Sequence, residues 1–338
     1  MSAPPDAVAA ETRRGLHRVV RWVLSLGMLA LLVMFARRVD WGATWASMRA
    51  ASLPLLIGAT ALNLLSLVVK GIRWWIFLRP VGSRSPWLAV RATAAGAGLN
   101  NVLVANGGDA ARIVFVARST GLPSATVLAT LALERVFDVV GYVVLLAGAA
   151  AFLPLPPDLA RYRLPAQVAV LVMVGGLTAL ALRRPPVGDP APGIAQVIVP
   201  VSVVARTRAY WAKFGRDVAE LSTGPRFVGA FLLSMLAWAC QLGVFALTAS
   251  AAGAALPPAG NLAALLAVNA GLLVRATPGN VGVFQLAYAL AATRFGMTGE
   301  TALAVSLLIQ SLQILPTTLL GVALAPEFVM RRASVGTP

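Results

Sequence analysis

The chain has 338 residues, of which 59% are hydrophobic and only 12% charged, with a mean hydropathy of +0.81. A soluble domain carries about 25% charged residues, so a water-soluble fold is excluded and a polytopic membrane protein is indicated. The formal net charge of +16 does not point to nucleic acid, because the arginines flank apolar runs instead of alternating with aromatic residues; loop topology and anionic lipid headgroups account for them.

Residues 1–14 read as a polar cytoplasmic tail and 331–338 as another, enclosing one transmembrane domain over 15–330. Roughly 20 apolar residues cross a bilayer, and six segments meet that length or approach it: 20–36, 53–69, 124–153, 165–182, 227–250 and 301–325. In the first, Arg13, Arg14, Arg18 and Arg21 precede the apolar run 22–36, and the segment is taken as an uncleaved helix, since further spans follow. Two more apolar segments, 88–111 and 260–295, are interrupted by Gly, Pro and Asn. The segment 183–226, between the fourth and fifth of these spans, contains RTRAYWAKFGRDVAELSTG, in which Trp211, Phe214, Val218 and Leu221 fall at helical spacing opposite Arg208, Lys213 and Arg216, the pattern of an interfacial amphipathic helix.

Cytoplasmic loops are rich in Lys and Arg. That rule puts the N-terminal cluster, the group Lys70, Arg73, Arg79, Arg84 and Arg91, the 183–226 loop and Arg331 with Arg332 on one side. Three full crossings between the second and third of these groups would give the wrong parity, so each interrupted segment is predicted to enter and leave on the same side. The chain then reads as two halves, 20–153 and 165–325, each span, span, re-entrant hairpin, span, in opposite orientation: an inverted-topology repeat. Weak similarity of AGLNNVLVANGG (97–108) to AGLLVRATPGNV (270–281) accords with this.

Charges within a span are functional candidates. Glu134 lies ten residues into the third span, about 15 Å along its axis, with Arg135 and Asp138 beside it. Arg135 and Asp138 are spaced to pair, while Glu134 and Asp138 share a face and call for another cation. Arg112 and Arg275 are the candidates to supply it. Two readings stay open: a charge network pinning helices together, or a site for a polar headgroup with Asp109, Glu134 and Asp138 as proton carriers.

The first interrupted segment ends in Asn106, Gly107, Gly108, Asp109 and Arg112, which reads as a turn with Asp109 capping a helix that carries Arg112 one turn on. In the second, Pro278, Gly279 and Asn280 break the helix beside Arg275, with Gln285 following. Free backbone N–H groups and a helix N-terminus there suit a phosphate; shaping the hairpin is the alternative role. Enzyme constellations are missing. His17 is the single histidine and lies in the basic flank, Cys240 is a lone cysteine in mid-span, and no metal-ligand spacing, nucleophile triad, Walker A or dinucleotide fingerprint occurs. No cofactor is expected.

GIRWWIFLRP (71–80), NVLVANGGDAARI (101–113), GLPSATVLATLALERVFDVVG (121–141) and TPGNVGVFQ (277–285), in this order, resemble the flippase-like family related to the transmembrane region of lysylphosphatidylglycerol synthase. The resemblance spans about 15–330. It carries Asp109, Arg112, Glu134, Arg135 and Asp138 onto the family's pattern, while Leu103, Val104, Ala105, Asn280 and Gln285 depart from it. It implies a bacterial inner-membrane protein that translocates an anionic or aminoacylated phospholipid or a polyprenyl-linked lipid, and no lipid synthesis, because the synthase's soluble domain is not in this sequence. The resulting expectation is a groove where two hairpins meet and Arg112, Arg135 and Arg275 hold a lipid phosphate. Alternatives are a membrane-embedded enzyme using Asp109 and Glu134 as acid and base, and an accessory subunit anchoring a synthase or glycosyltransferase partner through 183–226.

Overall fold

The computed structural model describes residues 40–102, 107–152, 224–272 and 280–330, with isolated positions between 161 and 175. The expected span 20–36, the amphipathic loop helix, both tails and all but isolated helical positions of 165–182 fall outside these residues. Every regular element among the described residues is helical: α1 (Trp41–Arg49), α2 (Leu53–Leu78), α3 (Pro86–Val102), α4 (Gly107–Thr120), α5 (Ser124–Phe152), α6 (Gly224–Ala251), α7 (Pro258–Gly271), α8 (Val283–Ala292), a 3-10 turn (Thr293–Phe295) and α9 (Gly299–Met330).

Within α2, α6 and α9, the segments Leu53–Leu78, Pro225–Ala251 and Gly299–Leu324 are long and apolar enough to cross a membrane. They coincide with the expected spans 53–69, 227–250 and 301–325. Helix α5, at 29 residues, reaches about 43 Å at 1.5 Å per residue. Its length suffices to cross, although Glu134, Arg135 and Asp138 sit within it. The two interrupted segments form α3 with α4 and α7 with α8, each pair packed arm against arm. Local chemistry sets the ends. Pro86 opens α3, and Ser85 Oγ accepts from the Leu88 N–H at 3.3 Å. Gly121, at φ 71°, ends α4 in the left-handed region that favours glycine.

The described chain forms two compact units whose boundaries fall inside α2, α6 and α9: 1–59 with 245–312, and 60–244 with 313–338. In the first unit, Phe245 stacks on Phe284 and Tyr288 with ring centroids 6.2 and 5.9 Å away. Ser52 N–H donates to the Ala251 carbonyl at 2.8 Å, tying the start of α2 to the end of α6.

The second unit holds a core of Trp74, Phe77, Leu78, Phe115, Val116, Val127, Leu133 and Phe137. The Trp74 indole N–H donates to Thr130 Oγ1 at 3.1 Å, so the largest ring in that core carries a satisfied polar edge. Helix α3 lies against α9 where Gly98 and Gly321 bring backbone onto backbone, an approach that small residues permit between membrane helices. Asn101 Nδ2, one turn on, donates to Thr317 Oγ1 at 2.9 Å and Thr318 Oγ1 at 3.1 Å.

A Cβ at Gly98 would run into the Thr317 carbonyl and the Gly321 backbone, whereas one at Gly148 meets nothing within 4 Å. Gly98→Val is expected to cost about 1–3 kcal/mol or more, the range for overpacking, and Gly148→Val little. Thermal unfolding of both variants in detergent checks this; equal transitions would contradict the contact.

Candidate functional site: a ring of buried charges

Charged side chains inside an apolar bundle persist only with partners, and the second unit shows where six of them find theirs. Arg73 comes from α2, Asp109 and Arg112 from α4, and Glu134, Arg135 and Asp138 from α5. Around the cluster the signs alternate. Arg73 lies 3.6 Å from Glu134, and Glu134 2.8 Å from Arg112. Arg112 is 3.7 Å from Asp109, which meets Arg135 at 2.5 Å. Arg135 is then 3.6 Å from Asp138, and Asp138 closes the ring on Arg73 at 2.7 Å. Three cations and three carboxylates thus balance.

Neutral neighbours take up further donors. Arg73 Nη1 donates to Ser234 Oγ at 2.8 Å, and Arg112 Nη2 to Thr93 Oγ1 at 3.1 Å. The Arg112 guanidinium also lies over the Trp74 ring, 4.2 Å from its centroid, a cation–π contact that strengthens away from water. Two donors stay without a partner, Arg73 Nε and Arg112 Nε.

The ring has a dry side and an open side. The side chains of Arg73, Arg112 and Glu134 are 1–4% exposed, while Asp109, Asp138 and Arg135 rise to 16%, 29% and 54%. An approaching anion therefore meets Arg135 first, and an approaching cation meets the two aspartates. Arg73 stands five residues before the end of α2 and Glu134 ten after the start of α5, about 8 and 15 Å along their axes. The cluster is thus nearer one end of α2 than its centre.

The sequence pattern of the family described as lysylphosphatidylglycerol synthase TM region matches residues 19–321. The chain belongs to this family. It is an integral membrane protein of a family associated with lipid modification or transport, and all five ring residues carried over by the resemblance fall inside the match. No curated protein matches the chain.

Within this family member, Asp109, Arg112, Glu134, Arg135 and Asp138 come together as the sequence suggested, including the Arg135–Asp138 pair. Arg112 supplies one cation to Glu134. The shared face of Glu134 and Asp138 is met by Arg73, which sequence reasoning had assigned to a cytoplasmic flank. The span is longer than expected: α2 continues to Leu78, and Arg73 lies inside it at 0% exposure instead of in a loop after it. A signal was present, because Asn63, Ser66, Lys70 and Arg73 recur every three or four residues along an otherwise apolar helix. Asp109 also departs from its expected capping role. It is the third residue of α4, and the capping comes from Asn100 on α3, whose Oδ1 accepts the Gly108 N–H at 2.9 Å while its Nδ2 donates to Asp109 at 3.2 Å. Gly107 and Gly108 open α4.

Gln285 belongs to the first unit. Its Oε1 accepts the Gly282 N–H and its Nε2 donates to Gln310, so it serves the start of α8. Asn280 holds a left-handed backbone at φ 55°. Asn106, Arg275, Pro278 and Gly279 lie outside the described residues.

The exposure gradient separates structural from accessible members. Arg112→Met leaves Glu134 with one cation fewer and is expected to destabilise by about 3–5 kcal/mol, the cost of breaking a buried pair. Arg135→Gln is expected to cost no more than about 1 kcal/mol. Unfolding midpoints of the purified variants check the order, and a reversed order would contradict it.

Proposed function

We propose that the protein moves a lipid with an anionic headgroup across the bacterial inner membrane, with the alternating charge ring as its headgroup site. The candidate substrates are an anionic or aminoacylated phospholipid and a polyprenyl-linked lipid. What supports this reading most is the exposure gradient: a balanced, buried ion-pair network that opens to one side through Arg135. A lipid phosphate arriving there competes with Asp109 and Asp138 for the Arg135 guanidinium. The freed carboxylates can then accept the amine of an aminoacylated headgroup or a proton, with Glu134 as the innermost member of the relay. Charge-assisted hydrogen bonds are exchanged for others of the same kind, so entry and exit need not meet a deep trap.

In this reading the chain moves its lipid and does not modify it chemically. Two oppositely oriented halves, with the pairs α3–α4 and α7–α8 as re-entrant hairpins and both termini cytoplasmic, would give the alternating exposure that transport requires. Energy for uphill movement would come from an ion gradient or a partner protein.

The test is leaflet exchange of fluorescent phosphatidylglycerol in liposomes containing the purified protein. Wild type is expected to accelerate exchange, and Arg135→Gln, which leaves the buried half of the ring intact, to slow it roughly tenfold, the equivalent of about 1.4 kcal/mol of lost interaction. Absence of acceleration for any lipid by folded wild-type protein would refute the reading.

A further inference from the structure

Charge balance around the ring singles out a seventh residue. Lys70 lies on α2 one turn before Arg73, and Asp138, Arg73, Glu134 and Arg135 all act on it electrostatically. The ring's three arginines are matched by its three carboxylates. Lys70 is therefore surplus, and it makes no ion pair or hydrogen bond among the described residues. Polar side chains flank it along α2: Ser66 stands one turn away, and Gln241 of α6 donates to Ser66 Oγ at 3.1 Å and to Asn63 Oδ1 at 3.3 Å. An ammonium with no direct ion pair within a span-length apolar helix is costly. The cost falls if an anion from outside the chain completes the set.

We propose that Lys70 is a docking cation for a phosphate-bearing anion in addition to the exposed Arg135, the buried Arg73 and Arg112 being held by carboxylates of the ring. This rests on the ring being a headgroup site, and it deepens that reading by assigning the charge that an incoming phosphate neutralises: one net positive charge suits a singly charged phosphodiester. A lysine ammonium is a compact, rotatable point charge. It can follow a headgroup along the Asn63, Ser66, Lys70 face, which the buried guanidiniums of Arg73 and Arg112, each in two ion pairs, cannot.

The sequence makes a direct test possible, because Lys70 and Lys213 are the only lysines. A Lys213→Arg protein in maltoside detergent, treated with acetic anhydride and analysed by peptide mass spectrometry, reports on Lys70 as its single ε-amine. With phosphatidylglycerol at ten times its dissociation constant, acetylation of Lys70 is expected to slow roughly tenfold by mass action, and millimolar inorganic phosphate is expected to protect far less. Equal labelling with and without lipid, or no labelling in any condition, would overturn the assignment. Protection by inorganic phosphate as strong as by lipid would keep the anion site and overturn its lipid occupant. Lipid protection in a protein that moves no lipid between leaflets would keep Lys70 as the anion site and refute translocation. Lipid exchange that Arg135→Gln slows, with Lys70 unprotected, would refute the Lys70 assignment alone.

Discussion

Burying an arginine among apolar helices is tolerable only when a carboxylate meets it at hydrogen-bonding distance, and the second unit satisfies that condition for Arg73 and Arg112 within one closed circuit that the exposed Arg135 completes. Glu134 carries most of the burden: at 3% exposure it serves both Arg73 and Arg112. Because each carboxylate touches two arginines and each arginine two carboxylates, removing any member leaves two others with a single ion pair each. Desolvation of the buried Arg73, Arg112 and Glu134 offsets much of the Coulombic gain, so the network adds less net stability than its six ion pairs suggest.

The rest of the unit's packing follows from bringing these side chains together. Arg112 reaches Glu134 across a position where α3 carries Gly96; a Cβ there would occupy the space of the Arg112 side chain. Gly108 likewise lets α4 approach α3 closely enough for Asn100 to cap its first turn. The Trp74 ring covers one face of Arg112 and hands its N–H to Thr130, joining the charge ring to the aromatic core of Phe77 and Phe137, whose centroids are 5.3 Å apart. Electrostatics and packing thus meet in the same few residues.

Much of this was legible in the sequence because membrane helices announce themselves by length and by the rarity of charge. The spans at 53–69, 124–153, 227–250 and 301–325 and the breaks at 88–111 and 260–295 all correspond to observed helices or helix pairs. Glu134, Arg135 and Asp138 were conspicuous as charges within a span. Arg73 and Lys70 were not, because a positive residue near the end of an apolar run has two explanations, a cytoplasmic flank or an inward-facing partner, and only the side chains it meets distinguish them. Asn100 was likewise invisible as a cap: it acts across a hairpin, eight residues from the N–H it accepts, whereas sequence rules for capping look to the residue directly before the helix.

The ring's central claim is that its members are energetically coupled, and a double-mutant cycle on Arg112 and Glu134 measures that most directly. Unfolding free energies of wild type, Arg112→Met, Glu134→Gln and the double variant should yield a coupling of about 1–3 kcal/mol, as for residues sharing one buried network. Additivity within about 0.5 kcal/mol would show that the two side chains do not depend on each other and would contradict the account.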